Sequence, residues 1–372
     1  MKTKILTFCK AQPVLIIAFC LAVLTMFLIP PDIQYVDYCN FTVLIELFSL
    51  MLAVAGLRNA GIFDVMTEFL LQKAGTVRKL AVLLILLCFF SAMLVTNDVA
   101  LLTFVPLTVL LFRNIPEEKA RILTIVLETA AANMGSMLTP VGNPQNLYLY
   151  DTYHLTAMQF IQTMLPSGIC SLMMLLLLTL LLPAQKCEAS SGQTEVSKKS
   201  AIIYSCLFLF CLLTVFRIVP DWACLLVTVI LIFITDKNLF RKADYALLAS
   251  FLCFFIFVGN MARIESVRAF FSAILTGREV IVSVLLSQII SNVPAAVMLS
   301  GFTQNGTALL LGVNLGGLGT LIASMASLIS YQCYRNTERA KPFQYLLTFT
   351  GISLIMLTVL LGFYFLLSNP AG

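Results

Sequence analysis

"LVTNDVALL" (94–102) sets the polar triplet Thr96-Asn97-Asp98 between two apolar arms, and "IISNVPAAV" (289–297) does the same with Ser291-Asn292. The surrounding chain has 372 residues, 60% of them hydrophobic and 11% charged. A soluble domain carries roughly 25% charged residues. The composition is that of a polytopic membrane protein. Polar groups at depth in a bilayer are costly and mark function by default. How the arms around these two stretches are laid in the membrane therefore decides the fold.

A helix needs about 20 apolar residues to cross roughly 30 Å of hydrocarbon. By that measure about nine transmembrane helices fall near 12–30, 41–57, 121–150, 166–183, 201–216, 222–235, 244–260, 307–331 and 344–366. Two apolar hairpins remain, 80–112 and 279–303, each with one polar stretch at its turn. The arms "EVIVSVLLSQII" and "VPAAVMLSGF" cover roughly 18 Å or less at 1.5 Å per residue, too short to cross. The arms of the first hairpin reach about 24 Å. Both hairpins read as re-entrant, with tips near mid-membrane. Non-helical backbone survives at that depth only where protein buries it or water lines it.

With the N-terminus cytoplasmic and both hairpins returning to the side they enter, every loop can be assigned a side. Of the 23 basic residues, only Arg217, Arg263, Arg268 and Arg278 then fall outside, as the positive-inside rule asks. The expectation is a cell (inner, cytoplasmic) membrane protein, N-terminus in and C-terminus out. The opening stretch (1–30) looks like a signal sequence, but its apolar core is too long and no small-x-small cleavage site follows. It reads as a retained first span. The eleven cysteines form no C-x-x-C pair and read as small buried hydrophobes. His154 reads as a loop residue. No nucleotide-binding loop and no nucleophile–base pair is visible, so neither primary pumping nor enzymatic catalysis is expected, and no nucleic-acid partner.

The two halves are related. "NMGSMLTPVGNPQNL" (133–147) aligns without a gap over "NLGGLGTLIASMASL" (314–328), setting Asn133 over Asn314, Gly135 over Gly316 and Thr139 over Thr320. Upstream, Thr96-Asn97 matches Ser291-Asn292, and "AVAGLRNA" matches "IFVGNMAR". The first half is 1–183, with hairpin 80–112 and broken span 121–150. A polar cytoplasmic linker follows at 184–200, then an extra span at 201–221. The second half is 222–372, with hairpin 279–303 and broken span 307–331. The charge pattern makes the repeats inverted, a construction plan of many secondary transporters. Two amphipathic pieces, "FDVMTEFLLQKAG" and "MARIESVRAFFSAIL", are expected along the membrane surface before each hairpin.

A helix that stops inside the membrane leaves N–H and C=O groups unpaired. N-terminal ends then favour anions and C-terminal ends favour cations. Asparagine adds both a donor and an acceptor. In the first broken span, Gly135 and Gly142 permit close backbone approach, while Pro140 and Pro144 remove donors and stop the helix. Asn133, Asn143 and Asn146 point polar groups into the break. Asn314, Gly316, Gly317, Gly319 and Thr320 do similar work in the second half without prolines, so its break is expected to be milder. Pro294 follows the second tip. Asp98 and Glu128 are buried acids and proton-coupling candidates. Glu46, also at depth, has no counterpart in the other half.

"TNDVALLTFVPL", "ANMGSMLTPVGNPQNL" and "SNVPAAVML" resemble signature segments of the ion-transporter superfamily. That group includes citrate-transporter-like permeases, arsenite permeases, related sodium–proton antiporters and divalent-anion:sodium symporters. The resemblance is greatest to a compact bacterial branch of citrate-transporter-like inner-membrane anion transporters. It implies a homodimer of scaffold and transport domains with elevator-type alternating access. It also implies Na⁺ sites at Thr96, Asn97, Asn133 and Gly135, and at Ser291, Asn292, Asn314 and Gly316. Dicarboxylate symporters of the superfamily carry Ser-Asn-Thr at both tips. Thr-Asn-Asp and Ser-Asn-Val here argue against a dicarboxylate. The expectation is a secondary transporter of a small anion, a carboxylate or an inorganic oxyanion, coupled to Na⁺ or H⁺ and using no other cofactor. The alternative is a cation–proton antiporter using Asp98 and Glu128.

Overall fold

The computed structural model describes residues 13–62, 75–112, 115, 117–186, 197–337 and 339–368. The named elements among them are all helical, and the one isolated β-bridge joins Thr76 to Lys186. Among the described residues five helices are long and apolar enough to cross a membrane by length and composition: Phe41–Asn59, Ala157–Leu181, Lys198–Val215, Tyr245–Arg263 and Pro342–Ser368. Four shorter apolar helices accompany them. The molecule is an all-helical polytopic membrane protein.

The first half runs α1 (Pro13–Leu28), α2 (Phe41–Asn59), the hairpin α3 (Val77–Ala92) and α4 (Asn97–Leu111), the broken pair α5 (Glu118–Ser136) and α6 (Pro144–Thr152), and α7 (Ala157–Leu178). After α8 (Lys198–Val215) the second half runs α9 (Asp221–Thr235), α10 (Tyr245–Arg263), α11 (Glu265–Leu275), the hairpin α12 (Glu279–Ile290) and α13 (Asn292–Ser300), the broken pair α14 (Gly306–Leu315) and α15 (Met325–Arg335), and α16 (Pro342–Ser368). Every expected crossing coincides with a helix or a broken pair.

Local signals set many of these boundaries. Asn40, Asp244 and Asn305 cap α2, α10 and α14 by accepting a backbone N–H with their side-chain oxygens. The expected span 166–183 begins earlier, at Ala157, because Thr156 and Gln159 form a capping box. Pro166 lies inside that helix and does not end it. The amphipathic piece expected at 261–275 divides between the end of α10 and the separate helix α11, and α11 meets α12 at a bend of 110°. Its counterpart at 63–75 lies outside the described residues save Gly75, as does most of the linker.

The second break is not milder than the first. Helix is interrupted over 137–143 in one half and over 316–324 in the other, each with a short 3₁₀ turn inside. Proline does the work once: Pro140 opens the 3₁₀ turn and Pro144 opens α6. In the second half Gly319 takes φ +113°, a left-handed backbone that glycine alone adopts freely. A positive φ turns the chain out of the helix as completely as a missing N–H does.

Packing is exchanged between the halves. α1 lies along α10, and its counterpart α9 lies along α2. The returning arm α4 of the first hairpin packs on α15, while the returning arm α13 of the second packs on α6. Each half therefore completes its core with the other's helices. Phe104, Phe112, Phe89 and Phe160 are among the fully buried side chains of this shared interior. One fastening ties the repeats at the start of α5. Glu118 accepts from Arg121 (2.7 Å) and from Tyr334 of α15 (2.6 Å), and the Tyr334 hydroxyl accepts the Lys341 N–H at 2.8 Å.

Candidate functional site

The four broken half-helices and the first hairpin turn meet in one buried polar network. In the first half Asn97, the first residue of α4, donates to the Asn133 Oδ1 at 2.9 Å. The Asn97 Oδ1 accepts the Asp98 N–H at 3.0 Å. Asn133, near the end of α5, reaches across to the other repeat: it accepts from Ser324 (3.0 Å) and donates to Ser327 (3.3 Å). Asn314, near the end of α14, makes the reciprocal crossing. It accepts from Asn143 (3.4 Å) and donates to Asn146 (2.6 Å). The register that sets Asn133 over Asn314 also sets Asn143 over Ser324 and Asn146 over Ser327. The two crossings are thus one interaction made twice.

The amide orientations follow from their partners. The Asn146 nitrogen donates to the carbonyls of Ser136 and Thr139, both at 3.1 Å. Its oxygen must then face Asn314, whose nitrogen also donates to the Leu310 carbonyl at 2.8 Å. The Asn314 oxygen is left to accept from Asn143, whose nitrogen also meets the Ser136 hydroxyl at 2.7 Å. The Asn143 Oδ1 is buried with no partner, and so is the Gln145 Nε2 beside it. Buried polar atoms of this kind are rare in folded proteins and call for an explanation.

The remaining expected residues fall around this network. The Thr139 hydroxyl donates to the Met93 carbonyl of the first hairpin, and the Thr320 hydroxyl to the Gln288 carbonyl of the second at 3.2 Å. A Cβ on Gly135 would lie 2.0 Å from the Phe89 carbonyl oxygen, and one on Gly142 would lie 2.1 Å from that of Ser136. Gly316 is held almost as closely, 2.7 Å from Ser287. These glycines let the hairpins and the broken spans touch backbone to side chain or backbone to backbone. Pro294 is buried in the first turn of α13.

The two turns differ. Thr96 precedes α4 with φ −15° and ψ 150°. Ser291 precedes α13 with φ 76° and ψ 155°, a region held almost only by glycine. Asn292 makes no bond to Asn314. Its nitrogen lies against Gly317, and its oxygen meets only the Ser291 hydroxyl, at 3.5 Å. The first turn is closed on its own broken helix by an asparagine pair, whereas the second meets its own break only through the Ser291 hydroxyl, 3.4 Å from the Ala323 carbonyl.

Of the acids, Asp98 is half-buried in the first turn of α4, at the positive end of that helix. Glu128 is fully buried. One oxygen accepts from Thr108 of α4 at 2.6 Å and the other has no partner. Its counterpart in the other half is Leu309, so this carboxyl has no symmetry mate. It lies apart from the asparagine network, one helical turn up α5. A cavity of about 520 Å³ is lined by Asp37, Tyr38, Asn40, Thr42, Asp151 and His154 among others, and shares no residue with the network.

Sequence reasoning passed over Ser136, Ser324, Ser327, Gln145 and Gln288. The gapless alignment already carried the signal for Ser324 and Ser327, which stand opposite two asparagines. Gln145 and Gln288 stand opposite Ala326 and Met93, a polar residue in one half against an apolar one in the other.

The backbone is similar to that of the Alcanivorax borkumensis YdaH transporter, with a TM-score of 0.57 at 14% identity, covering 88% of this chain and 86% of that one. This is a likeness of fold. An uncharacterized transporter of Methanocaldococcus jannaschii is 34% identical over 86% of this chain and 87% of its own. The inner membrane protein YbiR of Escherichia coli is 29% identical over 88% of each. A silicon efflux transporter of rice (Oryza sativa subsp. japonica) is 32% identical over 35% of this chain and 27% of its own. Residues 6–306 match the citrate transporter family, and the chain belongs to that family of membrane transporters.

Proposed function

We propose that this protein is a secondary active transporter that moves a small anion, coupled to Na⁺ or H⁺, by an elevator-type movement of its hairpins and broken helices. The observation that carries this reading is the twice-made crossing, Asn133 with Ser324 and Ser327, Asn314 with Asn143 and Asn146. It joins the C-terminal ends of α5 and α14 to the N-terminal ends of α15 and α6. An anion suits the N-terminal ends and a cation the C-terminal ends. The stretches 127–146 and 309–328 contain no Lys or Arg. A bound anion there needs helix ends, amide donors and a co-bound cation to offset its charge.

In this reading the hairpins are re-entrant. α12 and α13 span roughly 18 Å and 14 Å at 1.5 Å per residue, short of the hydrocarbon core. The protein sits in the cell membrane with its N-terminus inside and C-terminus outside, as a homodimer. The substrate is a carboxylate or an inorganic oxyanion. The family name points to the first, and the rice relative's name, a silicon efflux transporter, to an inorganic solute. A thermal-shift screen against citrate, succinate, sulfate, arsenite and Na⁺ identifies the ligand, since a ligand of the folded state raises its apparent stability. Uptake by vesicles carrying Asn97→Ala or Asn292→Ala tests the site. Full uptake by both variants refutes it.

A second reading, cation–proton antiport, rests on Glu128. A fully buried carboxyl with one unpaired oxygen and no ion pair among the described residues is a candidate proton or cation carrier. Collapse of an imposed pH gradient on adding Na⁺, with no organic anion present, would favour it.

A further inference from the structure

Gln288 stands on α12, one turn before the second hairpin turn. Its carboxamide spans the second break. The nitrogen donates to the carbonyls of Gly316 (2.9 Å) and Leu318 (3.0 Å) in the break and meets that of Val284 in its own helix at 3.1 Å, and the oxygen accepts the Thr320 N–H at 2.9 Å. The register that sets Asn97 over Asn292 puts Met93 in this position in the first half. Met93 keeps only the backbone part of the role, accepting from Thr139 as the Gln288 carbonyl accepts from Thr320. A thioether has no N–H and is a weak acceptor. Accordingly the Met137 carbonyl and the Thr139 N–H, the counterparts of the Leu318 carbonyl and the Thr320 N–H, have no hydrogen-bond partner among the described residues. The Gly135 carbonyl accepts only from the N–H groups of Met137 and Leu138 that follow it.

An NH₂ group held between two carbonyls occupies the position that a small cation would take between the same oxygens. Buried carbonyls without a donor are unfavourable and find another partner. In the first break the Met137 carbonyl is left without a donor among the described residues and the Gly135 carbonyl has donors only from the two residues that follow it closely in the chain, at the end of α5 where the helix dipole favours positive charge. We infer that the Gln288 carboxamide is a built-in substitute for a cation in the second half. The chain then binds its coupling cation once, at the first break, on the carbonyls of Gly135 and Met137. This inference rests on the transporter reading for calling the cation a coupling ion, but the binding itself stands or falls alone.

The test is equilibrium binding of radioactive Na⁺ to the purified full-length protein, with thermal melting as the check on folding. The wild type is expected to bind one Na⁺ per chain. Met93→Gln installs the substitute in the first half and is expected to abolish Na⁺ binding while melting as the wild type does. Gln288→Ala is expected to keep that one Na⁺, with or without a second. Two Na⁺ on the wild type, none on it, or full binding by folded Met93→Gln each overturns the inference. So does loss of all Na⁺ from folded Gln288→Ala. Should Met93→Gln fail to fold, Met93→Leu removes the sulfur without filling the place, and loss of Na⁺ from it also counts against the proposal. Uptake measured in parallel separates the two claims. Na⁺ binding with no solute moved leaves this inference standing and refutes the transporter reading, whereas uptake with no Na⁺ bound does the reverse.

Discussion

Asn97 donates its carboxamide N–H to Asn133 at 2.9 Å, so the first hairpin turn is tied to its own broken helix. The matching pair, Asn292 and Asn314, makes no such bond, and the Asn314 oxygen accepts from Asn143 of the other half. The repeats share a plan and differ at the contact on which a carrier of this construction would act. In the first half an asparagine pair joins the turn to the broken helix, and in the second half the joining falls instead to Gln288, one turn before the hairpin turn, and to the Ser291 hydroxyl.

That difference separates two substitutions by their effect on stability. Asn97→Ala removes a buried hydrogen bond and should lower stability by about 1 kcal/mol. Asn292→Ala removes an amide whose one hydrogen bond, from the Ser291 hydroxyl, is 3.5 Å long, and should leave thermal melting nearly unchanged. Both should abolish uptake. Equal loss of stability in the two variants would mean that the second turn is closed as well.

Ser291 holds φ 76° and ψ 155° although it is not glycine. Such a backbone costs of order 1–3 kcal/mol. Ser291→Gly should therefore raise the melting temperature in detergent. It also deletes the hydroxyl that meets Asn292 and the Ala323 carbonyl, so uptake should fall. A variant that melts lower than the wild type would show that the strain is not there.

Gly135 and Gly351 make a matched pair of opposite outcome. A methyl group on Gly135 meets the Phe89 backbone, which cannot yield, whereas nothing lies within 4 Å of the position a Cβ would take on Gly351. Gly135→Ala should cost about 1–3 kcal/mol or prevent folding. Gly351→Ala should be neutral or slightly stabilising, as alanine is favoured over glycine in a helix. Expression level and melting of the two purified proteins decide it.

Glu128→Gln keeps an acceptor for the Thr108 hydroxyl and removes the ionisable group. Folding should survive, with stability changed by no more than about 1 kcal/mol. If Glu128 carries a proton during transport, the variant should lose every pH-gradient effect while still binding solute in a thermal-shift assay. Intact proton coupling in Glu128→Gln would leave the buried carboxyl a structural partner of Thr108.

Cysteines placed at 97 and 292 in a background without the native ones report how the hairpins lie. Each should react with a membrane-impermeant thiol reagent from the side its hairpin enters, and a solute bound at the network should slow the reaction at 292 more than at 97. Free reaction of each from the opposite face would make the hairpin arms ordinary crossings.

Much of this architecture was legible in the chain. Apolar run length located the helices, since a helix in lipid must satisfy its own backbone, and Pro140 and Pro144 announced the first break through donors they lack. The gapless match of 133–147 with 314–328 announced that a second break existed. Its depth was misjudged, because Gly319 has no residue-type signal as strong as proline's and its φ is decided by what surrounds it. The capping box at Thr156 and Gln159 was readable and would have moved the start of α7 to its proper place.

Sequence alone determined which segments are helices, and most of where they break, because apolar length, proline, glycine and capping side chains act within a few residues of themselves. Only the tertiary structure decided which partner each polar group found. Asn133 joins Ser324 and Ser327, Asn314 joins Asn143 and Asn146, and Gln288 bridges a break that Met93 leaves open. A buried amide must pair wherever the packed chain places a partner. That partner lies some 170 to 190 residues away in the crossings, beyond the reach of any local rule.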